Sequence, residues 1–388
     1  MKYIKICVLL ITMLLLTGCM EKEVTTQINV IDNLEFDYGQ DIYLYDVMSI
    51  VDGSFIDQNQ LLDTLELGDR SITVNYKNSN KKKDKYTINY KVVDKVNPIL
   101  SVPENIYVKV GSEIELLKKS FCGDNADRHL KCEVIGEYDL NTIGNYKLEY
   151  RATDSSNNSV SKDTTLHVIK EFSSSGSSNK GTNLSYFIKN YKNDNTSIGI
   201  DVSSHQGEID FNKVKEAGID FVIIRMGFGP NSEGNITMDK YFLDNYNNAK
   251  EAGLKIGYYF FSYGTTMDEV DIITNWIDEQ LKDKQVDLPI AYDWESWNTF
   301  YSCEMNFRDL NMQAEKFLKN LSNKGYDVMM YGSKSKLNTI WELDRYTTWL
   351  AQYYKEPTYE KDFKIWQVSE EGVVDGINTL VDINILYN

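Results

Sequence analysis

Beyond residue 196 the chain alternates short apolar runs with longer amphipathic ones, and this alternation limits the fold more than any other feature. Ile198-Gly199-Ile200-Asp201-Val202 and Phe221-Val222-Ile223-Ile224-Arg225 read as buried strands, as do residues 255–262, 288–292, 327–331, 348–351 and 363–367. Between them, residues 211–217, 239–252, 267–281 and 310–324 read as helices. A helix between two strands returns the chain to the starting edge of the sheet, so the strands run parallel with the helices outside. Spread over ~190 residues, the pattern predicts an α/β domain, an irregular β/α barrel shorter than the usual ~250.

In such a barrel the loops after the strands share one rim, and chemistry is built there. The run Leu288-Pro289-Ile290-Ala291-Tyr292 ends in Asp293-Trp294-Glu295-Ser296-Trp297. Residues two apart on a strand share a face, so Asp293 and Glu295 project together. Two neighbouring carboxylates cannot both ionise freely, which raises one pKa. The result is the acid and carboxylate that glycoside hydrolysis needs. Other strand ends add Asp201 and Asp382, with Tyr258, Tyr263, Tyr331, Trp349, Trp366 and Gln367 as candidate sugar contacts. A lone aspartate at a strand end is ordinarily a cap or turn residue. Four carboxylates on one rim, with rings between them, form a candidate active site. His205, between Ser204 and Gln206, suits a hydrogen-bonding role in a loop, and Ser203 lacks the GxSxG elbow of a serine hydrolase.

The first half of the chain has a different pattern. From residue 28 to 170, short alternating segments are broken by Asn, Asp, Gly and Ser, as in strands joined by turns. The plan occurs twice: Gly68 opens a strand pair ending near Asp94, and Gly144 opens another ending near Val168. Residues 28–94 and 95–170 are therefore expected to be two all-β domains, followed by a flexible linker over 171–195 with a Ser-rich start. The Lys81-Lys82-Lys83 run is expected at a solvated hairpin tip.

The N-terminus reads as a targeting segment. Lys2 and Lys5 precede an apolar stretch over 6–16, too short for a comfortable membrane span, and Leu16-Thr17-Gly18-Cys19 follows. This resembles a bacterial lipobox, which implies a signal peptide over 1–18, a lipid on Cys19 and a tether over 19–27. Acyl methylenes would then anchor the exported chain to the membrane. In that compartment Cys122 and Cys132 are a candidate disulfide, whereas Cys303 has no nearby partner. A net charge of −17 argues against a nucleic-acid partner. With three histidines and no CxxC, no metal site is expected, and no motif calls for a cofactor.

Residues 196–388 resemble glycoside hydrolase family 25, lysozymes that cut peptidoglycan as N-acetylmuramidases. The resemblance rests on Gly199-Ile200-Asp201-Val202-Ser203 with Gln206-Gly207, on Phe221 through Gly227, and on Gly257-Tyr258-Tyr259-Phe260-Phe261-Ser262. Asp293-x-Glu295, Trp349-Leu350-Ala351, Trp366-Gln367 and Val381-Asp382-Ile383-Asn384 complete it in the family's order. The stretch from Trp297 to Phe307 is least like the family. Residues 95–170 resemble bacterial Ig-like repeats, which serve as spacers or adhesive modules and can contact surface proteins; residues 28–94 do so less closely.

These resemblances imply two Ig-like sandwiches ahead of a catalytic barrel, held at the membrane facing the cell wall of a Gram-positive bacterium. Peptidoglycan strands are the implied substrate. Glu295 is the implied general acid, with a pKa raised by partial burial and neighbouring carboxylates. Asp293 is its ionised partner, attacking the sugar or orienting its acetamido group, and Asp201 and Asp382 set the electrostatics. The alternatives are a non-catalytic glycan-binding lipoprotein and a glycosidase of chitin-like polymers.

Overall fold

The computed structural model describes residues 25–172, 181–231 and 233–388. The expected signal peptide, the lipidated Cys19 and most of the Ser-rich linker lie outside the described residues. The chain divides into two compact units, 1–95 and 96–388.

Among the described residues, the first unit is all-β apart from one short helix, Leu44–Val47. Gly68–Lys77 and Lys83–Val93 form its central hairpin, with Lys81 and Lys82 in the turn. Glu35–Asp37 runs parallel to the second hairpin strand, and Ser54–Phe55 flanks the first. Burial alternates along Gly68–Lys77, so one face of the sheet covers a core of Leu44, Val74, Ile88 and Val92. A two-stranded sheet of Gln27–Val30 and Met48–Val51 packs over the same core.

The second unit begins with a β domain of the same plan. Gly144–Thr153 and Ser159–Ile169 form the hairpin, Asn105–Lys109 lies parallel to its second strand, and Lys131–Ile135 flanks the first. A smaller sheet pairs Ile99–Ser101 with Phe121–Gly123. The Cys122–Cys132 disulfide ties this small sheet to the larger one.

The rest of the unit is a closed barrel. Its strands are β1 (Thr196–Val202), β2 (Phe221–Gly229), β3 (Lys255–Ser262), β4 (Ile290–Asp293), β5 (Val328–Ser333), β6 (Thr347–Ala351), β7 (Ile365–Val373) and β8 (Val381–Tyr387). The first seven are parallel neighbours in chain order. β8 closes the ring antiparallel to both β7 and β1. The alternation predicted parallel strands, and β8 departs from it because residues 374–380 are too few for a helical crossover, which takes a dozen or more.

The helices are α1 (Leu184–Tyr191), α2 (Phe211–Glu216), α3 (Phe242–Glu251), α4 (Met267–Leu281), α5 (Trp297–Ser302), α6 (Phe307–Asn323) and α7 (Lys334–Thr339). Capping boxes start α4, from Thr266 and Glu269, and α6, from Asn306 and Asp309. The expected linker is shorter than the sequence suggests. Thr182–Asn183 pairs with β7, and α1 buries Leu184 and Phe187 at spacing i, i+3 against the barrel.

Side-chain parity divides the barrel into two apolar layers. Outward residues such as Ile200, Ile224, Tyr292, Leu350 and Ile383 meet the helices in the main core. Inward residues Phe221, Ile223, Ala291, Met329, Trp349, Ile365 and Leu386 fill the barrel itself. Gly199 is required here, because a Cβ at that position would stand 2.3 Å from the Phe221 ring.

Candidate active site

The inward positions at the upper end of the barrel are polar. On β1, Ile200 faces the helices, so Asp201 faces in; on β8, Val381 and Ile383 face out, so Asp382 and Asn384 face in. Asp201 and Asp382 stand opposite each other in the β1–β8 ladder. On β4 Ala291 faces in and Tyr292 faces the helices, so Asp293 faces in, and Glu295, in the loop after the strand, lies close enough for its charge to act on Asp293. The four carboxylates named from the sequence therefore converge.

Asp201 is held by two amides. Asn384 Nδ2 donates to its Oδ2 at 2.7 Å and Gln367 Nε2 at 3.0 Å. Each amide is fixed in turn: Trp349 Nε1 donates to Asn384 Oδ1 at 2.8 Å, and the Tyr331 and Tyr353 hydroxyls donate to Gln367 Oε1 at 2.9 and 3.0 Å. Donors to a carboxylate favour its charged form. Burial nevertheless outweighs them, and the Asp201 pKa rises to about 6. Asp382 is pushed up to about 8, by burial first and then by the charges of Asp201 and Glu370.

Asp293 is the most enclosed of the four, 5% exposed, and its Oδ1 has no hydrogen-bond partner among the described residues. Burial pushes its pKa well above the carboxylate range. The Glu295 charge adds to this, while Lys336 and Arg225 oppose it. Glu295 has a different environment. Its side chain is 44% exposed, and Lys336 Nζ donates to Oε1 at 2.8 Å. The sequence reading put the perturbed carboxyl on Glu295. The structure puts the strong burial on Asp293, because β4 ends there and Glu295 already lies in the loop.

Two of the expected sugar contacts face away from the rim. Tyr258 lies between sheet and helices, edge-on to Phe242, with its hydroxyl donating to Gln285 O at 2.7 Å. Trp366 is likewise outward, with its Nε1 on Gln352 O at 2.7 Å and Tyr191 of α1 against its ring. Tyr331, Trp349 and Gln367 do face in. Tyr263 stands beside Phe261 and Phe228 in a groove of about 510 Å³ that extends past Thr265 and Cys303.

The sequence reading missed Tyr259, the inward neighbour of Tyr258, which packs half-buried against Trp349 and feels the charges of Asp201, Asp293 and Asp382. It also missed Arg225, which is paired with buried Asp239 at 2.7 Å and donates to Ser204 Oγ at 3.0 Å. Ser203 Oγ accepts from the His205 backbone, and the His205 side chain is exposed, so neither belongs to a nucleophile pair.

Residues 200–377 match the family model described as glycosyl hydrolases family 25. That segment is a family 25 glycosyl hydrolase domain. The autolytic lysozyme of Clostridium acetobutylicum is 32% identical over 193 residues, covering 48% of this chain and 54% of the relative. The chain thus spans about half the length of that curated relative. The Escherichia coli protein YegX is 27% identical over 194 residues, covering 48% of this chain and 68% of the relative. Among solved structures, the modular autolysin LytC from Streptococcus pneumoniae, in complex with a synthetic peptidoglycan ligand, aligns with TM-score 0.46 at 20% identity over 62% of this chain and 56% of its own. A family 25 glycosyl hydrolase from Bacillus anthracis aligns with TM-score 0.42 at 20% identity over 51% of this chain and 92% of its own.

Proposed function

We propose that the family 25 domain is a muramidase that hydrolyses the β-1,4 bond between N-acetylmuramic acid and N-acetylglucosamine in peptidoglycan. The observation that carries this reading is the pair at the end of β4: Asp293, buried at the last strand position, and Glu295, half-exposed in the loop just after it. The reaction starts with a proton on Asp293, where burial favours keeping it. Substrate entering the cleft takes the place of Lys336 against Glu295. Glu295 then takes the proton from Asp293 and gives it to the glycosidic oxygen as the bond from that oxygen to the anomeric carbon breaks. Asp293, now ionised, faces the developing cation, as nucleophile or as the group that orients the 2-acetamido substituent, and water then adds to the anomeric carbon and returns a proton to the pair. Asp201 and Asp382 hold the water or sugar hydroxyls on the opposite side of the barrel mouth.

Clearing of purified cell walls by the wild type and not by Glu295→Gln is the expected result. Equal clearing by both would show that Glu295 is not the acid. Mass spectrometry of the fragments tests the substrate: muramic acid at the new reducing ends supports a muramidase, and N-acetylglucosamine there supports a chitin-type glycosidase. Binding to walls without clearing would support a non-catalytic surface protein.

In this reading the two β domains are Ig-like modules, and the lipobox-like Leu16-Thr17-Gly18-Cys19 anchors the chain outside the membrane of a Gram-positive cell. Incorporation of a labelled fatty acid that is lost in Cys19→Ser tests the anchor.

A further inference from the structure

The second β domain packs against the barrel beside the catalytic loop, and the contact is built from several kinds of bond. Phe121 sits among Trp297, Phe300, Tyr301 and Phe307, with ring centroids 3.6 to 6.1 Å away. The Tyr301 hydroxyl accepts from Cys122 N and donates to Cys122 O, both at 3.0 Å. Phe307 N donates to Asp124 O at 2.8 Å, and Asn306 Nδ2 to Ala126 O at 3.0 Å. At the far side Arg128 pairs with Asp309. The disulfide at Cys122 fastens this strand within its own domain.

On the barrel side the contact leads to the proposed acid. Trp297 follows Glu295 by two residues, and its backbone N–H donates to Glu295 O at 3.1 Å. Lys336 lies over the Trp297 ring, 5.7 Å from its centroid, and holds Glu295 at 2.8 Å. The helix that starts at Trp297 spans only Trp297–Ser302, far below the length at which a helix is stable alone, so its place is set by what it packs against.

We propose that Phe121 is a positioning residue for the active site: a side chain from the β domain seats Trp297 and, through Trp297 and Lys336, sets where Glu295 stands in the cleft. The inference rests on Glu295 being the acid. Removing the Phe121 ring leaves a void against Trp297, and the indole moves into it. Lys336 and the Glu295 loop follow, and misplacement of a reacting group by ~1 Å can cost up to ~100-fold in rate.

The test uses the full chain on soluble peptidoglycan fragments, with kcat and KM measured for wild type, Phe121→Ala, Phe121→Leu, Arg128→Ala and Glu295→Gln. Tryptophan fluorescence and near-UV circular dichroism report folding. The expected result is a roughly tenfold lower kcat in Phe121→Ala with KM within about twofold, because only the transition-state geometry is lost. Phe121→Leu, which refills part of the void, has a kcat about threefold below wild type. Arg128→Ala, which loosens docking without touching Trp297, keeps the wild-type kcat.

A wild-type kcat in folded Phe121→Ala overturns the proposal, as does an equal loss in Arg128→Ala, which would assign the effect to docking alone. Should Phe121→Ala fail to fold, Phe121→Leu decides: a kcat about threefold down supports the proposal and an unchanged one overturns it. Full activity in Glu295→Gln would instead remove the acid assignment. Loss there together with an unaffected Phe121→Ala would remove only the positioning role.

Discussion

Replacing Asp382 by Asn should stabilise the barrel at pH 8 and do little at pH 4. Asp382 has an ordinary pKa of 3.8 and is raised to about 8 in the folded chain, chiefly by burial. A carboxyl with a raised folded pKa holds a proton that the unfolded chain releases. Between about pH 4 and pH 8 the folded state therefore binds more protons, and stability falls as pH rises through that window. A gap of about four units, at 1.36 kcal/mol per unit, bounds the loss at ~6 kcal/mol. Asp382 is only half-buried, and water at the open rim solvates the ion, so a gain of ~2–3 kcal/mol in the Asn variant is the working expectation. The assay is urea unfolding followed by tryptophan fluorescence at the two pH values. All six tryptophans (276, 294, 297, 341, 349 and 366) lie in the barrel segment, so the signal reports that domain alone. Wall-lytic activity should fall in the same variant. A difference between variant and wild type that is the same at pH 4 and pH 8 would refute the reasoning.

Three further outcomes are expected. Arg225→Leu leaves Asp239, whose side chain is 0% exposed, without its ion-pair partner; it should cost ~3–5 kcal/mol in urea melts, much of it recovered when Asp239→Leu is added. Tyr258→Phe removes one hydrogen bond in the helix layer and should cost ~1 kcal/mol while leaving kcat unchanged, whereas Tyr259→Leu, altering a ring inside the barrel, should lower kcat at least tenfold. Cys132→Ser opens a loop of about ten residues and should lower the stability of the second β domain by ~2–3 kcal/mol, seen as faster proteolysis between residues 96 and 170.

The acids were legible in the sequence because each sits at the end of a run whose apolar residues mark strand and face. Asp293 and Glu295 follow Ala291 in parity, and Asp201 follows Gly199. The rings were harder to place. β3 is apolar on both faces, so Tyr258-Tyr259 offers no polar neighbour to say which ring points in. The partners of the acids come from distant segments. Lys336 reaches Glu295 across 41 residues and Asn384 reaches Asp201 across 183, separations over which no local periodicity acts. The helix over Trp297–Ser302 was missed for a related reason: its position depends on a domain more than a hundred residues earlier, and that stretch was also the part least like the family.

The antiparallel β8 joins ring closure to the make-up of the site. It slots between β1 and β7 and pairs with both. The same strand delivers Asp382 and the Asn384 amide that clasps Asp201. Without that strand the sheet would be open, Asp201 would lack its Asn384 donor and the rim would lack one carboxylate. Closure of the ring and completion of the acidic rim therefore depend on the same strand.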